Sequence, residues 1–360
     1  MNNSSNILNE LPTTRYQGSK RKIIPWIYEN LKEFEFETVL DACGGSASVS
    51  YLFKKMKKKV TYNDNLKFNY LIGKALIENH QVRITSDDLI FVLDNSPKKN
   101  NLIQKYFKDV YFTQEENEWL DNVITNINLL EGNSQCETEY KRAICFYALF
   151  QSCLRKRPFN LFHRKNLYLR ENNVKRSFGN KSTWEKKFEK EFIHFTNEAN
   201  NLIHDSKIQC KSINESVFEI GVTEYDLVYL DIPYYSERSS NETSDYTKCY
   251  HFLEGISDYE NWLKKIDFDT ANLRFKKEFD NSGFDKKNIN NSIDKLFKKF
   301  QFSIIVFSYK IGGIPSIDDI KEIMCRYKKN VFTEDKHYKY ALNNQNGDAR
   351  FNREVLIIGY

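Results

Sequence analysis

Tyr225-Asp226-Leu227-Val228-Tyr229-Leu230-Asp231-Ile232-Pro233-Tyr234-Tyr235 reads as a buried strand that runs into an acid, a proline and two aromatics. Residues 227–230 form a short apolar, β-rich run of the kind found in the middle of a parallel sheet, and Pro233 cannot continue a strand ladder. Asp231 is therefore expected at a strand's carboxyl end, the edge at which open α/β sheets bind ligands. The Asp231 carboxylate and the neighbouring carbonyl of Ile232 offer two acceptors for the two hydrogens of an exocyclic amine. Tyr234 is then placed to stack on the flat ring that carries the amine. Taken alone, residues 231–234 fit an ordinary β-turn equally well, since Asp and Pro are common turn residues.

Working upstream, residues 38–41 read as a second buried strand that ends in Asp41, followed by the small-residue turn Ala42-Cys43-Gly44-Gly45-Ser46-Ala47-Ser48 and a helix over 49–57. Small residues let a ligand lie against backbone N–H groups at a helix start, and they serve tight helix–strand packing just as well. A third strand over 59–64 ends at Asn63 and Asp64, and a helix follows over 67–79. Asp64 lies about twenty residues past the glycines, the spacing at which a carboxylate in a βαβ unit meets ribose hydroxyls. Ahead of these elements, Arg15-Tyr16-Gln17-Gly18-Ser19-Lys20-Arg21-Lys22 leads into an amphipathic run over 23–34, with Ser19 as its cap and Gly18 allowing a close ligand approach. Downstream, strands are expected over 207–212, 302–309, 338–342 and 353–358, with a helix over 316–327. The polar segment 236–247 is a candidate lid.

Between 81 and 205 the strand–helix alternation lapses, and helices are expected over 114–130 and 139–154. A basic stretch follows, in which Arg155, Lys156, Arg157, Arg164, Lys165, Arg170, Lys175, Arg176 and Lys181 face a single acid, Glu171. Phe159, Phe162, His163, Tyr168 and Phe178 are interleaved with them. Cations among aromatics suit a surface that neutralises phosphates and stacks against bases, whereas a solvated basic loop over a small core is the plainer alternative. Asn160, Asn166, Asn172 and Asn173 are candidates for reading base edges.

The net charge of +5 is mild, so any basic face must come from local clustering. The seven cysteines contain no Cys-x-x-Cys pair and no zinc-ligand spacing, which points to thiols in a reducing compartment and to no metal centre. No apolar run approaches the ~20 residues needed to span a bilayer. A soluble cytoplasmic protein is expected.

At Asp231-Ile232-Pro233-Tyr234 the chain resembles the Asp-Pro-Pro-Tyr signature of the DNA-adenine N6 methyltransferases, with Ile232 replacing the first proline. The resemblance gives that position's role to its carbonyl oxygen, which Ile232 also supplies. The order of motifs is similar to that of the alpha-arranged DNA amino-methyltransferases, with the cofactor half first. The family usually has Phe and Gly where Cys43 and Ala47 stand. The fold so implied is a Rossmann-like S-adenosylmethionine-dependent methyltransferase α/β fold, a mixed seven-stranded sheet with an antiparallel C-terminal hairpin, built from residues 1–80 and 206–360. Residues 81–205 would form an inserted, mainly helical DNA-recognition domain.

The resemblance implies S-adenosyl-L-methionine contacts at Tyr16, Gly18, Lys20, Asp41, Cys43, Gly44, Gly45, Ser46, Asn63, Asp64 and Asp231, and catalytic roles for Asp231, Ile232, Pro233 and Tyr234. Arg155, Lys156, Arg157, Asn160, His163, Arg164, Lys165 and Arg170 are the expected DNA contacts. The implied reaction is direct methyl transfer to N6 of an adenine flipped out of double-stranded DNA, with no covalent enzyme intermediate. A cognate restriction endonuclease is the implied partner. Two alternatives stay open: N4 of cytosine as acceptor, and a DNA-binding module with a decayed site, motivated by Ile232, Cys43 and Ala47.

Overall fold

A computed structural model of the chain describes residues 10–96, 100–157, 160–171, 184–221, 225–235, 245–279, 283–337 and 353–360. Its strands are β1 (Thr38–Asp41), β2 (Lys59–Asn63), β3 (Lys211–Ile213), β4 (Leu227–Leu230), β5 (Ile304–Lys310), β6 (Val331–His337) and β7 (Arg353–Gly359). They form one sheet in the order β3-β2-β1-β4-β5-β7-β6. The first five neighbours run parallel, while β7 is antiparallel to both β5 and β6. Strand order reverses between β1 and β4, and the crevice beyond the carboxyl ends there is the usual ligand position of such a sheet.

All four residues of β4 are buried, as its apolar run requires of a strand covered on both faces. At its amino end, the Asp226 carboxylate accepts from the N–H groups of Glu37 (2.8 Å) and Thr38 (2.7 Å) and from the Thr38 hydroxyl (2.9 Å). This clamp ties the start of β1 to the start of β4 and sets Asp41 opposite Tyr229. Asp41 and Asp231 consequently emerge side by side at the far edge.

Two strands differ most from the sequence expectation. Strand β3 begins at Lys211 rather than 207, because Lys207 sits at φ 63°, a left-handed conformation that breaks an extended run. The partner of β7 is β6 at Val331–His337, and residues 338–342, where a strand was expected, lie outside the described residues. Glu334 to His337 are exposed on this edge strand, so no apolar alternation marks it.

Helices cover the sheet: α1 (Ile24–Leu31), α2 (Ser48–Lys55) and α3 (Lys67–Gly73), which continues into a π turn over Lys74–Glu78. Beyond them come α4 (Gln114–Leu129), α5 (Gln135–Arg155), α6 (Phe188–Leu202) and α7 (Tyr246–Ser257). Phe146 and Phe150 of α5 and Phe192 of α6 belong to the same buried cluster as Tyr62, Phe68 and Ile72. Phe68 meets Phe150 edge-on at 5.7 Å between centroids. Helices of segment 81–205 thus share a buried core with the sheet.

Candidate active site

A cleft enclosing about 900 Å³, including its open mouth, lies at the reversal point. Its walls bring together Tyr16, Gly18 and Lys20 from the entry segment, Asp41 to Ser46 from β1 and its turn, Asn63 and Asp64 from β2, and Asp231 and Pro233 from β4. Gln17 of the entry motif and Tyr246 and Thr247 at the end of the expected lid also line it, as does Glu215, of which the sequence motifs gave no sign. Ile232 lies beside the cleft with its side chain in the core, 1% exposed.

Asp231 is the only residue of the signature with a charge, and it is held from behind. Lys20 donates to Asp231 Oδ1 at 2.9 Å and lies 2.8 Å from Oδ2, while the Tyr234 hydroxyl donates to Oδ1 at 2.8 Å. Lys20 also donates to the Gly18 carbonyl and to the Tyr234 hydroxyl, and it stands 3.3 Å from Glu354 Oε1. Burial opposes the Lys20 charge, but Asp231 and Glu354 raise its pKa above the usual range. The Asp231 side chain is 20% exposed and Glu354 is 0% exposed, so Asp231 is the acid of this pair that faces the cleft. Glu354 was not among the residues expected from sequence, although an acid next to the apolar run 355–358 is a detectable anomaly. Tyr234 turns its hydroxyl inward to these charges and its ring edge-on to Tyr309 at 5.5 Å, and it is not among the residues that line the cleft.

On the other side, Asp64 Oδ1 accepts from the Leu66 N–H and Oδ2 from the Gly45 N–H, both at 2.9 Å. Burial pushes its carboxyl up to about 6. Each oxygen can accept a second hydrogen, so the group fits a pair of ribose hydroxyls. Asn63 brackets two loops: its Nδ2 donates to the carbonyls of Ala42 and Glu215, and its Oδ1 accepts from the Glu215 N–H. Asp41 is 1% exposed and accepts from Ser50 Oγ at 2.6 Å. Burial pushes the Cys43 thiol well above its usual range, and the nearby acids add to this.

The glycine turn is built around aromatic rings. A Cβ on Gly44 would lie 2.1 Å from the Tyr62 ring, and one on Gly73 would lie 2.3 Å from the same ring's other edge. Gly45 takes φ +47° under Tyr16, and Ala47 takes φ 60°, the left-handed conformation a glycine adopts more readily. Tyr16 stacks on Tyr250 at 4.9 Å and 7°, and its hydroxyl accepts from Asn69 Nδ2. Ser19 Oγ lies 3.1 Å from Ser46 Oγ, which lies 3.0 Å from Ser48 Oγ, so three hydroxyls cluster at the start of α2.

The basic stretch does not form one surface. Lys156 is 1% exposed, donates to the carbonyls of Trp184 and Lys186, and pairs with Glu116 at 2.8 Å. Arg170 grips both oxygens of Glu116 at 2.7 Å. Arg157, 1% exposed, donates to the carbonyls of Leu161 and Arg164 and lies 4.5 Å over the Tyr111 ring, and burial lowers its pKa to about 10. Arg155 Nε stands 3.1 Å from Glu191. These four cations organise the loop after α5, which differs from the phosphate-facing arrangement expected of them. Arg164 and Lys165 are exposed, His163 is half-buried, and Asn160 accepts from exposed Arg15 at 3.4 Å. Asn166 is 4% exposed. Phe159, Asn172, Asn173, Lys175, Arg176, Phe178 and Lys181 lie outside the described residues, as does most of the expected lid, residues 236–244.

Among the described residues, no group of three or more His, Cys, Asp or Glu is placed to hold a metal ion, and no helix is long and apolar enough to cross a membrane.

Residues 16–312 match the family model described as D12 class N6 adenine-specific DNA methyltransferase. The chain is 27% identical to Type II methyltransferase M2.HphI of Haemophilus parahaemolyticus, over 96% of this chain and 97% of that protein. Modification methylase LlaI of Lactococcus lactis subsp. lactis is 24% identical across 95% of this chain, which spans 54% of that protein. Type II methyltransferase M.NlaIII of Neisseria lactamica is 22% identical, over 95% of this chain and 98% of that protein.

Proposed function

We propose a mechanism on the premise that this chain belongs to the D12 class N6 adenine-specific DNA methyltransferases. It transfers a methyl group from S-adenosyl-L-methionine to N6 of an adenine flipped out of double-stranded DNA. The observation that carries this reading is that Asp231 and Asp64, from strands far apart in the chain, open into one cleft at the reversal point of the sheet.

The cofactor supplies an electrophilic methyl group on a sulfonium. Asp64 suits its ribose hydroxyls, the serines at 19, 46 and 48 suit its carboxylate end, and the acids at 64 and 231 favour a cation over a neutral thioether. Asp231 accepts one hydrogen of the target amine and the Ile232 carbonyl accepts the other. Drawing on both N–H bonds reduces lone-pair delocalisation into the base ring and makes the nitrogen a better nucleophile. Tyr234, expected from sequence to stack on the base, instead holds Asp231 through its hydroxyl with its ring against Tyr309, and extrusion of the base costs only a few kcal/mol. The amine itself attacks, so no cysteine nucleophile takes part, and its proton passes to water after transfer.

Arg164 and Lys165 are assigned to phosphate contacts because they remain exposed in the basic stretch. The Type II names of the relatives support a cognate endonuclease of the same recognition sequence in the host.

The test is Asp231→Ala, assayed by transfer of tritiated methyl from S-adenosylmethionine to unmethylated plasmid DNA. Methylation is expected to collapse while calorimetry still registers cofactor binding. A variant that methylates near the wild-type rate would refute the assignment.

A further inference from the structure

Behind Asp231 lies a second acid that the methyl-transfer chemistry does not itself use. Glu354 comes from β7, is 0% exposed, accepts from Ser308 Oγ of β5 at 2.7 Å and lies 3.3 Å from the Tyr234 hydroxyl, whose single hydrogen it shares with the closer Asp231. Its Oε1 stands 3.3 Å from Lys20 Nζ. Lys310, its register partner on β5, places another, half-buried ammonium nearby. A buried carboxylate at such a place is costly unless paired and hydrogen-bonded, and this one is both.

Lys20 is almost completely buried and has two carboxylates against it. An ammonium with a single carboxylate partner in a low-dielectric site concentrates its attraction there, and the acceptor oxygens lose strength toward any third group. With Glu354 present, the Lys20 charge is shared. We infer that Glu354 is a positioning residue for methyl transfer: it draws part of the Lys20 charge and steadies the Tyr234 hydroxyl, so that Asp231 keeps an acceptor for the substrate amine. Ser308 fixes the Glu354 oxygen that does this. The inference rests on Asp231 being the amine acceptor, as proposed above.

A double-mutant cycle separates positioning from mere structure, with Glu354→Gln, Lys20→Gln, the double variant and Asp231→Ala compared as purified full chains. Tritiated methyl transfer to plasmid DNA gives kcat and the KM for DNA, calorimetry gives S-adenosylmethionine affinity, and thermal melting controls for folding. Glu354→Gln is expected to lower kcat about tenfold or more with KM and cofactor affinity little changed. On the Lys20→Gln background the same change should cost less than about twofold, because the charge it divides is gone. A Glu354→Gln enzyme with wild-type kcat, or a loss that adds in full to that of Lys20→Gln, overturns the inference. If Glu354→Gln does not fold, Ser308→Ala carries the test: kcat should fall severalfold, and wild-type kcat overturns the inference. An active Asp231→Ala sinks the acceptor assignment itself, whereas an inactive one beside a wild-type Glu354→Gln sinks only the role of Glu354.

Discussion

Replacing Asp41 by Asn should change how stability depends on pH, by an amount set by its surroundings. Asp41 is 1% exposed, and burial, aided by Asp231 and Asp64 and opposed by the Ser50 hydroxyl, pushes its carboxyl up to about 7. In an unfolded chain an Asp ionises near pH 3.9. The folded group therefore holds its proton more tightly, so its stabilising contribution is fully present below about pH 4 and is lost as pH rises through about 7. A rise of about three units corresponds to roughly 4 kcal/mol over the whole window, and to roughly 3 kcal/mol between pH 5 and pH 8. The Asn side chain keeps the shape and carries no charge at any pH. Glu254, raised by burial to about 7, titrates with the same sign in both proteins and cancels in the difference, while Asp64, raised by burial to about 6, loses a like-charged neighbour in the variant and shifts the difference in the same direction. Urea unfolding of both proteins at pH 5, 6, 7 and 8 is the assay. The unfolding free energy of Asp41→Asn relative to wild type should move in its favour by about 3 kcal/mol from pH 5 to pH 8. A constant offset across that range would refute the reasoning, because it would mean that Asp41 ionises in the fold as it does in the unfolded chain.

Arg157→Met should destabilise the protein by about 3 kcal/mol in urea unfolding, since it strands the carbonyls of Leu161 and Arg164. Arg164→Glu combined with Lys165→Glu should leave the melting temperature unchanged, weaken DNA binding in a filter assay, and flatten the plot of log affinity against log salt by about one to two units. Gly44→Ala should cost about 3 kcal/mol or more, because its Cβ would lie 2.1 Å from the buried Tyr62 ring. Gly221→Ala, with nothing within 4 Å, should stay within about 0.5 kcal/mol of wild type in the same measurement.

The sheet was legible because its central strands carry a one-dimensional signal. Leu227 to Leu230 are apolar throughout and Pro233 stops the ladder, so the position of Asp231 followed from local chemistry. Asp64 was legible by its distance from the glycines and the turn at Gly18, φ 80°, by residue type, whereas Ser19, expected to cap the helix that follows, caps a separate 3-10 turn over Lys20–Ile23, and α1 starts at Ile24 without a side-chain cap. Edge strands lack such marks. β6 buries no residue fully along its length, and β3 is three residues long. The role of the glycines was only half legible: Gly44 and Gly73 clear space for Tyr62, whose hydroxyl lies 2.9 Å from the Gly45 carbonyl, so the turn is shaped by a ring from the next strand.

The basic stretch shows why charge cannot be assigned to a surface from its own window of sequence. From 155 to 181 there is one acid, so every cation looks unpaired. The acids that answer them come from elsewhere: Glu116 opens α4, where it closes a capping box with Thr113 and also takes Lys156 and Arg170, and Glu191 of α6 takes Arg155. Burial works against the Glu116 charge, yet these cations hold its pKa below the usual range. Arg157 needs no acid at all, because the carbonyls of its own loop accept from it and the Tyr111 ring lies beneath it. Glu354 repeats the lesson inside the site: its partner Lys20 is separated from it by almost the whole chain, and only the antiparallel return of β7 beside β5 brings the two charges together. Pairs made by long-range topology leave no local trace, which is why Asp231 could be placed at a strand end from a tetrapeptide while the charges packed against it could not.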